Sequence, residues 1–472
     1  MQTASQATDS APIVHPPGYR ARRGQNWFFL GLTYASYYLC RYNLSPVAPE
    51  LMSELSFSKS QYGMINSGRD GAYAIGQMIN GLFTDRFGGK QAMTIGAIST
   101  IILNLAFGFT SWSGMSTMLL LTSLVCIRSF DGYMQAFGAP GFIKINTAWF
   151  RRKERGAFAG VFGFMINLGA IGAGQLGKTL ITGMSIPLLF FTLSTPTLNW
   201  RYMFILPPIA VGVIVILMNL FVKNTPEEAG WKVEHDDDGG AESTEKIRLI
   251  DVFRKIASNR VVWIVAAAYF CTGFVRRGVE SWWAVYLHDV WGADKMSGLY
   301  TAFIWGLPVT ASVGSLTSGY ISDKLFHGKR APVAAILYIA QVAFTIVAIM
   351  VPQSGGAASS AIAVALIIGI SMMCNSTHSI LGTAAAMDLG GRRMAGCSSG
   401  IIDSFQYYGA LISGYGLGAL FDSFAKPSVG AGVASKLNPN IWFGSMLPFG
   451  LLGAGLMTYL WIKHRNSTTI GT

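Results

Sequence analysis

Charge is what this sequence has least of. Only 12% of its 472 residues are Asp, Glu, Lys or Arg, and acids are the scarcer sign, 23 against 35 basic residues. Soluble domains run nearer about 25% charged. A composition that is 51% hydrophobic with so few charges excludes an ordinary soluble domain and points to a chain that crosses a membrane many times. Cysteine is sparse as well. The five (Cys40, Cys126, Cys271, Cys374, Cys397) lie in or beside apolar runs without metal-ligand spacing. That argues against a disulfide framework and leaves them as small packing residues. No ATP-binding glycine loop, metal cluster or catalytic triad is present, so neither an enzyme nor a cofactor is expected. Glycine, by contrast, is plentiful at 55 residues, as suits helices that pack closely in lipid.

The apolar residues fall into twelve runs, at about 27–52, 61–84, 92–111, 117–148, 157–183, 199–222, 261–287, 298–322, 332–351, 360–388, 395–424 and 441–462. Each is long enough to span about 30 Å of hydrocarbon. With the N-terminus in the cytoplasm, the inner loops and tails hold 23 Lys/Arg and the outer loops 4. Such a bias fixes the orientation and puts both termini inside. The net charge of +12 is then a property of topology and not a nucleic-acid surface. The expected organisation is a cytoplasmic tail over 1–26, a six-helix half over 27–222, a linker over 223–260, a second six-helix half over 261–462 and a short tail over 463–472. The linker carries the acidic run Glu234–Asp238 and then Gly239-Gly240, which reads as a solvated tether.

Eight basic residues fall inside the spans: Arg41, Arg69, Arg128, Lys144, Lys178, Arg201, Arg276 and Arg277. An arginine at the centre of a membrane helix costs about 2.5–3.5 kcal/mol on insertion scales and marks a pathway. Arg41 and Arg276 stand about 14 and 15 residues into the first helix of each half, near 21 Å along at about 1.5 Å per residue. A guanidinium is always charged, and its planar fork suits phosphate or carboxylate. Two of them at one depth suggest an anion site between the halves.

The halves echo each other. Tyr37-Tyr38-Leu39-Cys40-Arg41 parallels Gly273-Phe274-Val275-Arg276. Thr84-Asp85-Arg86 parallels Ser322-Asp323-Lys324, and Arg151-Arg152-Lys153-Glu154-Arg155 parallels Arg392-Arg393. Parallel repeats with a site at their midplane interface are a transporter architecture.

Between the second and third runs stands Gly81-Leu-Phe-Thr-Asp85-Arg86-Phe-Gly88-Gly89-Lys90. Its glycines allow a tight turn, and Asp85 can cap a helix or pair with a basic neighbour. This segment resembles the signature loop of the major facilitator superfamily. Further motifs narrow the likeness: Tyr34-x-x-x-Tyr38-x-x-Arg41; Gly132-x-x-Gln135-x-x-Gly138-x-Pro140-x-x-x-Lys144; Arg276-x-Gly278; and Phe405-x-Tyr407-x-Gly409. Together they resemble the organophosphate:phosphate antiporter family, whose members exchange glycerol 3-phosphate, hexose phosphates or phosphoglycerates for inorganic phosphate. The resemblance implies an all-α fold of twelve transmembrane helices in two pseudo-symmetric halves. It implies that Arg41 and Arg276 clamp the phosphate, with Tyr34, Tyr38 and Tyr407 lining the pocket. Positions 34, 38 and 41 do share one helix face.

The chain departs from the glycerol 3-phosphate pattern at four positions. Gln77 stands where a lysine is usual, Ile166 (followed by Asn167) for a histidine, and Gly273 and Ser376 for tyrosines. Lost basic residues and bulk suggest a different, larger organic group. Gln77 remains a pocket candidate. Asp403, one turn before Tyr407, either accepts from substrate hydroxyls or holds an arginine. Arg277 and Glu280 are spaced to pair. Arg69-Asp70 and Arg128/Asp131 read as gate or packing pairs, Lys144 as part of a cytoplasmic gate with the signature loop, and His378 as a hydrogen-bonded interior histidine.

The expected protein is a secondary transporter of the cell inner membrane, complete as a monomer, taking a phosphorylated small molecule and inorganic phosphate. A proton-coupled organic-anion symporter, using Glu280 or Asp403, stays open. So does a membrane sensor of a sugar phosphate. Multidrug efflux fits poorly with two midplane arginines.

Overall fold

A computed structural model describes the backbone of residues 16–150, 152–187, 192–231, 258–352, 356–424 and 436–464; side chains at 85, 152–164, 184–187, 192–193 and 383–401 are not described. The run Glu234–Asp238, Arg151 and the side chains of Asp85, Arg392, Arg393 and Cys397 therefore lie outside the described residues.

The described residues are helical nearly throughout. In order, the helices are α1 (Tyr19–Arg41), α2 (Ala48–Leu55), α3 (Lys59–Phe87), α4 (Gly89–Thr110), α5 (Thr117–Gln135), α6 (Gly138–Trp149), α7 (Arg152–Thr182) and α8 (Leu206–Phe221). They continue with α9 (Arg260–Trp291), α10 (Gly298–Leu325), α11 (Arg330–Met350), α12 (Gly356–His378), α13 (Ala386–Ser423) and α14 (Pro439–Lys463). Starts are marked by side chains that satisfy the first free N–H groups. Ser58 and Gln61 form a reciprocal capping box before α3, and Ser297 caps α10. Among the described residues seven helices are both long and apolar enough to cross a bilayer. Helices α1, α3 and α5 are not among the seven; they carry Arg41, Arg69 and Arg128, and α3 and α5 also an aspartate, Asp70 and Asp131. Large apolar side chains such as Ile102, Phe109, Ile216, Leu220 and Leu316 are exposed on the outside of the bundle, where lipid would cover them.

Several expected spans prove to be broken or fused. The run 27–52 is not one helix. It begins at Tyr19 and stops at Arg41, and a short 3₁₀ turn (Ser45–Val47) precedes α2. Pro46 and Pro49 supply no N–H for the helical ladder, so it cannot run through. Arg41 is thus the last residue of its helix, whereas Arg276 is mid-helix. The run 117–148 is two helices, parted at Ala136-Phe137. The break expected at about 389–394 is absent: a π-helical stretch, Ser379–Ala385, leads straight into α13. The signature segment is less of a loop than its glycines suggested. Helix α3 runs to Phe87, and the turn is made at Gly88, whose φ of 94° only glycine adopts readily. One departure from an all-helical chain is a small antiparallel hairpin, β1 (Met184–Pro187) with β2 (Thr192–Thr195), in an expected outer loop.

The two halves meet chiefly along α3 and α13, and along α7 and α10. The first contact is close because glycines face each other: a Cβ on Gly63 would fall on the Gly414 carbonyl. Small-residue contacts of this kind are how membrane helices gain packing without a hydrophobic driving force.

Candidate functional site

The break after Arg41 creates the site. A helix that stops leaves its last carbonyls without intrahelical partners. Two arginines from neighbouring helices satisfy them: Arg128 Nη1 donates to the Cys40 carbonyl at 3.1 Å, and Arg128 Nη2 and Arg69 Nη1 each donate to the Arg41 carbonyl at 3.2 Å. Each is in turn neutralised. Arg128 pairs with Asp131 at 3.0 Å, and Arg69 donates from Nε to Asp70 at 3.0 Å. The buried pairs expected at 69/70 and 128/131 thus do structural work at a helix end. The break also ties the halves together. Ser45 Oγ donates to the Glu280 carbonyl at 2.5 Å, and Tyr300 to the Pro46 carbonyl at 2.6 Å.

At the break lies a cavity of about 160 Å³ whose wall holds Tyr34, Tyr38, Arg41, Tyr73 and Gln77 from one half and Arg276, Asp403 and Tyr407 from the other. All seven residues expected from the sequence to bind substrate share this wall. Tyr73 is an addition, and so is Gln406. Arg41 is 5% exposed. Its Nε donates to Gln135 at 3.0 Å, and its guanidinium lies 4.6 Å from the ring centroids of both Tyr38 and Tyr73. Cation–π contact spreads its charge without neutralising it. Its Nη2 has no hydrogen-bond partner, and among the described residues it pairs with no carboxylate. Gln135, which holds it, is itself oriented by donating to both oxygens of Asp131 at 3.0 and 3.1 Å.

Arg276 differs. It lies 2.9 Å from Glu280 one turn on. Glu280 also takes Arg277 at 3.1 Å and the Tyr42 hydroxyl at 3.1 Å. The expected 277/280 pair is therefore present, but Glu280 serves both arginines. Arg277 reaches further, across the halves, to Asp70. That bridge is invisible to helix spacing because its partners are 207 residues apart.

The remaining candidates separate into two groups. Asp403 receives the Tyr269 hydroxyl at 3.4 Å, and the same hydroxyl contacts His378 Nδ1, so His378 is a hydrogen-bonded interior histidine that also reaches the cavity. Gln77 donates to Tyr73 at 3.0 Å. Arg86, Gly88 and Lys144 line a different recess at the end of the bundle where α1 begins. Lys144 donates there to the Thr84 carbonyl at 3.1 Å, and Asn224 accepts the Lys90 N–H at 2.9 Å. Gly81 is six residues further up α3, where a Cβ would meet nothing within 4 Å. The structure keeps this group away from the central cavity.

Two departures from the glycerol 3-phosphate pattern do not enlarge the cavity. A Cβ on Gly273 would fall on the Gln406 carbonyl, so α13 backbone fills the space a side chain would need. Ser376 is 2% exposed and packs against Gly314. Room comes from elsewhere. A second cavity of about 220 Å³ adjoins the first, sharing Tyr38, Tyr42, Arg276, Glu280 and His378 and extending between α7 and α10 past Ile166 and Asn167.

A helical membrane bundle whose cavity between halves carries buried charge defines a secondary transporter, and the chain belongs to the Major Facilitator Superfamily, which it matches over residues 30–414. Its likeness is to the organophosphate branch. It is 26% identical over 401 residues to the glycerol-3-phosphate transporter of Bacillus subtilis (strain 168), covering 83% of this chain and 84% of that one. It is 27% identical over 425 residues to a probable hexose phosphate transport protein of Chlamydia pneumoniae, covering 86% of each. It is 23% identical over 437 residues to the membrane sensor protein UhpC of Salmonella typhimurium, covering 89% and 91%.

Proposed function

We propose that the protein exchanges a phosphorylated organic compound for inorganic phosphate by alternating access. Arg41 of one half and Arg276 of the other take the phosphate; Tyr34, Tyr38, Tyr407, Gln77 and Asp403 complete the pocket. The observation that carries this is Arg41, a buried guanidinium with an unpartnered Nη2 and no carboxylate among the described residues. A buried cation without a counter-ion is costly, and an oxyanion supplies what is missing. The relatives named for glycerol 3-phosphate and hexose phosphate support the same class.

Coupling follows from the same feature. The empty carrier must close around Arg41 uncompensated, whereas the occupied carrier closes around a neutralised pair, so the occupied form crosses. Glu280 already neutralises Arg276, so the penalty rests on Arg41. Phosphate must compete with Glu280 for Arg276. In this reading the bundle lies in a cell inner membrane with both termini and the 223–260 linker cytoplasmic, and one chain suffices.

The test is exchange in proteoliposomes loaded with radiolabelled phosphate. Efflux driven by an external organophosphate, and lost in Arg41→Ala and Arg276→Ala, supports the reading. Binding without exchange moves the assignment to a sensor, as in the relative of that name. Uptake that follows a pH gradient without counter-phosphate moves it to a proton-coupled symporter.

A further inference from the structure

Lys178 stands just beyond the closed end of the second cavity. That cavity follows the seam between α7 and α10, which belong to different halves. The two helices run antiparallel there: Asn167 meets Ser312, and further toward the hairpin Gly174 and Ile304 close the wall. The closure is tight. A Cβ on Gly174 would lie 3.0 Å from Ile304, one on Gly177 would lie 2.7 Å from Pro46, and Tyr300 donates to the Pro46 carbonyl. One turn further along each helix, Lys178 Nζ of α7 donates to Thr301 Oγ1 of α10 at 2.8 Å. Lys178 is near the end of its apolar run, where a lysine can turn its ammonium to the headgroups. It is half-buried and turned into the seam instead.

Among the described residues no carboxylate lies within ion-pair distance of this ammonium, and its one partner is the Thr301 hydroxyl. A hydroxyl satisfies a hydrogen bond but not a charge. Lys59 and Lys295 also bridge the halves on this side, and they meet Asp289 and Glu50. Parting those pairs puts both signs into the opening, whereas parting Lys178 from Thr301 adds a positive charge alone. We infer that Lys178 is the first anion-binding residue on the path from the outer face. Once α7 and α10 separate, its ammonium takes the phosphate of an arriving substrate, which passes along the second cavity to Arg276 and Arg41. Lysine suits a passing hold, since it offers a point charge on a flexible stem and not the fork of the arginines. Reclosure returns the ammonium to Thr301 and leaves the phosphate to the inner site. This rests on the proposed phosphate site and on the proposed orientation in the membrane.

The experiment compares right-side-out and inside-out membrane vesicles that carry the full chain and are loaded with saturating unlabelled phosphate. Exchange is followed as external radiolabelled phosphate is varied, and vesicles lacking the protein are subtracted. Lys178→Gln should raise the half-saturating concentration in right-side-out vesicles by about tenfold, the lower end of what charge in a cleft contributes to capture. It should not raise it in inside-out vesicles. Lys178→Arg keeps the charge and should recover most of the loss. Thr301→Val loses the same hydrogen bond but keeps the cation, so it should not reproduce the rise. No rise with Lys178→Gln, an equal rise at both faces, or an equal rise with Thr301→Val overturns the inference and leaves the phosphate site standing. If Lys178→Gln does not reach the membrane, added salt serves on the unaltered chain. Screening should then raise the half-saturating concentration more at the outer face than at the inner, and equal sensitivity overturns the inference. Absence of exchange in the unaltered protein overturns the proposed function, and this inference with it.

Discussion

Asp70 of α3 and Arg277 of α9 hold each other across the two halves of the bundle. Arg277 Nε stands 2.8 Å from one carboxylate oxygen and Nη2 donates to the other at 3.0 Å, with Asp70 fully buried. Arg69, which caps the broken end of α1, shares the same carboxylate. The helix break that carries Arg41 and the helix that carries Arg276 are thereby linked through one aspartate. Among the described residues two more ion pairs join the halves, Lys59–Asp289 at 3.1 Å and Lys295–Glu50 at 2.5 Å, both on the far side of the cavity from the start of α1. If the halves rock, these are the contacts that must part.

Removing one partner of a buried ion pair typically costs about 3–5 kcal/mol, because the other is left uncompensated. Asp70→Asn should therefore lower the unfolding temperature in detergent and reduce exchange. The double variant Asp70→Asn with Arg277→Gln should lose less than the sum of the two single changes. Strict additivity would show that the pair does not act as a unit.

Arginine presents a fork and lysine a single point charge. Arg41→Lys keeps the charge but cannot hold both the Gln135 oxygen and a bidentate phosphate. A charge-assisted hydrogen bond is worth about 1.5–3 kcal/mol, so phosphate affinity should fall by roughly 10- to 150-fold. Equilibrium binding measures this directly, and an unaltered affinity would refute the clamp.

Gln135 touches no substrate in the proposed scheme; it positions Arg41 and is held by Asp131. Gln135→Leu should weaken phosphate binding by about tenfold, in line with roughly 1–3 kcal/mol for a group left unsatisfied. Gln135→Glu should recover less of the binding than the native amide, because a carboxylate there would neutralise Arg41 in place of phosphate. A raised half-saturating phosphate concentration with a nearly constant maximal rate is the expected signature.

Gly273 and Gly409 let α9 and α13 approach backbone to backbone, since a Cβ on either would fall on a carbonyl of the other helix (Gln406 and Phe270). Gly273→Ala and Gly409→Ala should destabilise by about 1–3 kcal/mol through overpacking. Gly24→Ala, whose Cβ would meet nothing within 4 Å, should not. Thermal unfolding of the three variants side by side decides it.

The membrane class and seven residues of the central cavity wall were legible in the sequence. Scarce charge and long apolar runs leave a bilayer as the only solvent, and an arginine in such a run must face the bundle interior or a cavity. The i, i+4, i+7 spacing of Tyr34, Tyr38 and Arg41 put them on one wall because helix geometry is local. Several details were not legible. The helix break at Arg41 depends on prolines five or more residues downstream and on Arg69 and Arg128 being at hand to take the freed carbonyls. Nothing local marks Tyr73; only the fold brings its ring 4.6 Å from the Arg41 guanidinium. Gly273 looked like missing bulk in a pocket, but it is a contact point for α13.

What the sequence determined by itself, then, is everything that depends on the chain's neighbours along its own length: which segments are apolar, which faces carry charge, and where glycine and proline interrupt. Only the tertiary structure decided that Arg41 is left without a counter-ion among the described residues and that Arg277 gains a second one from the other half. Arg276, Arg277, Arg69 and Arg128 each find a carboxylate within four residues along their own helix, and Arg277 another across the halves. Among the described residues Arg41 does not, because its own helix and its neighbours bring two tyrosine rings and an amide to it in place of an acid. Coulomb energy in a low-dielectric interior depends on distances of a few ångströms between elements far apart in the chain, and no one-dimensional pattern records those distances.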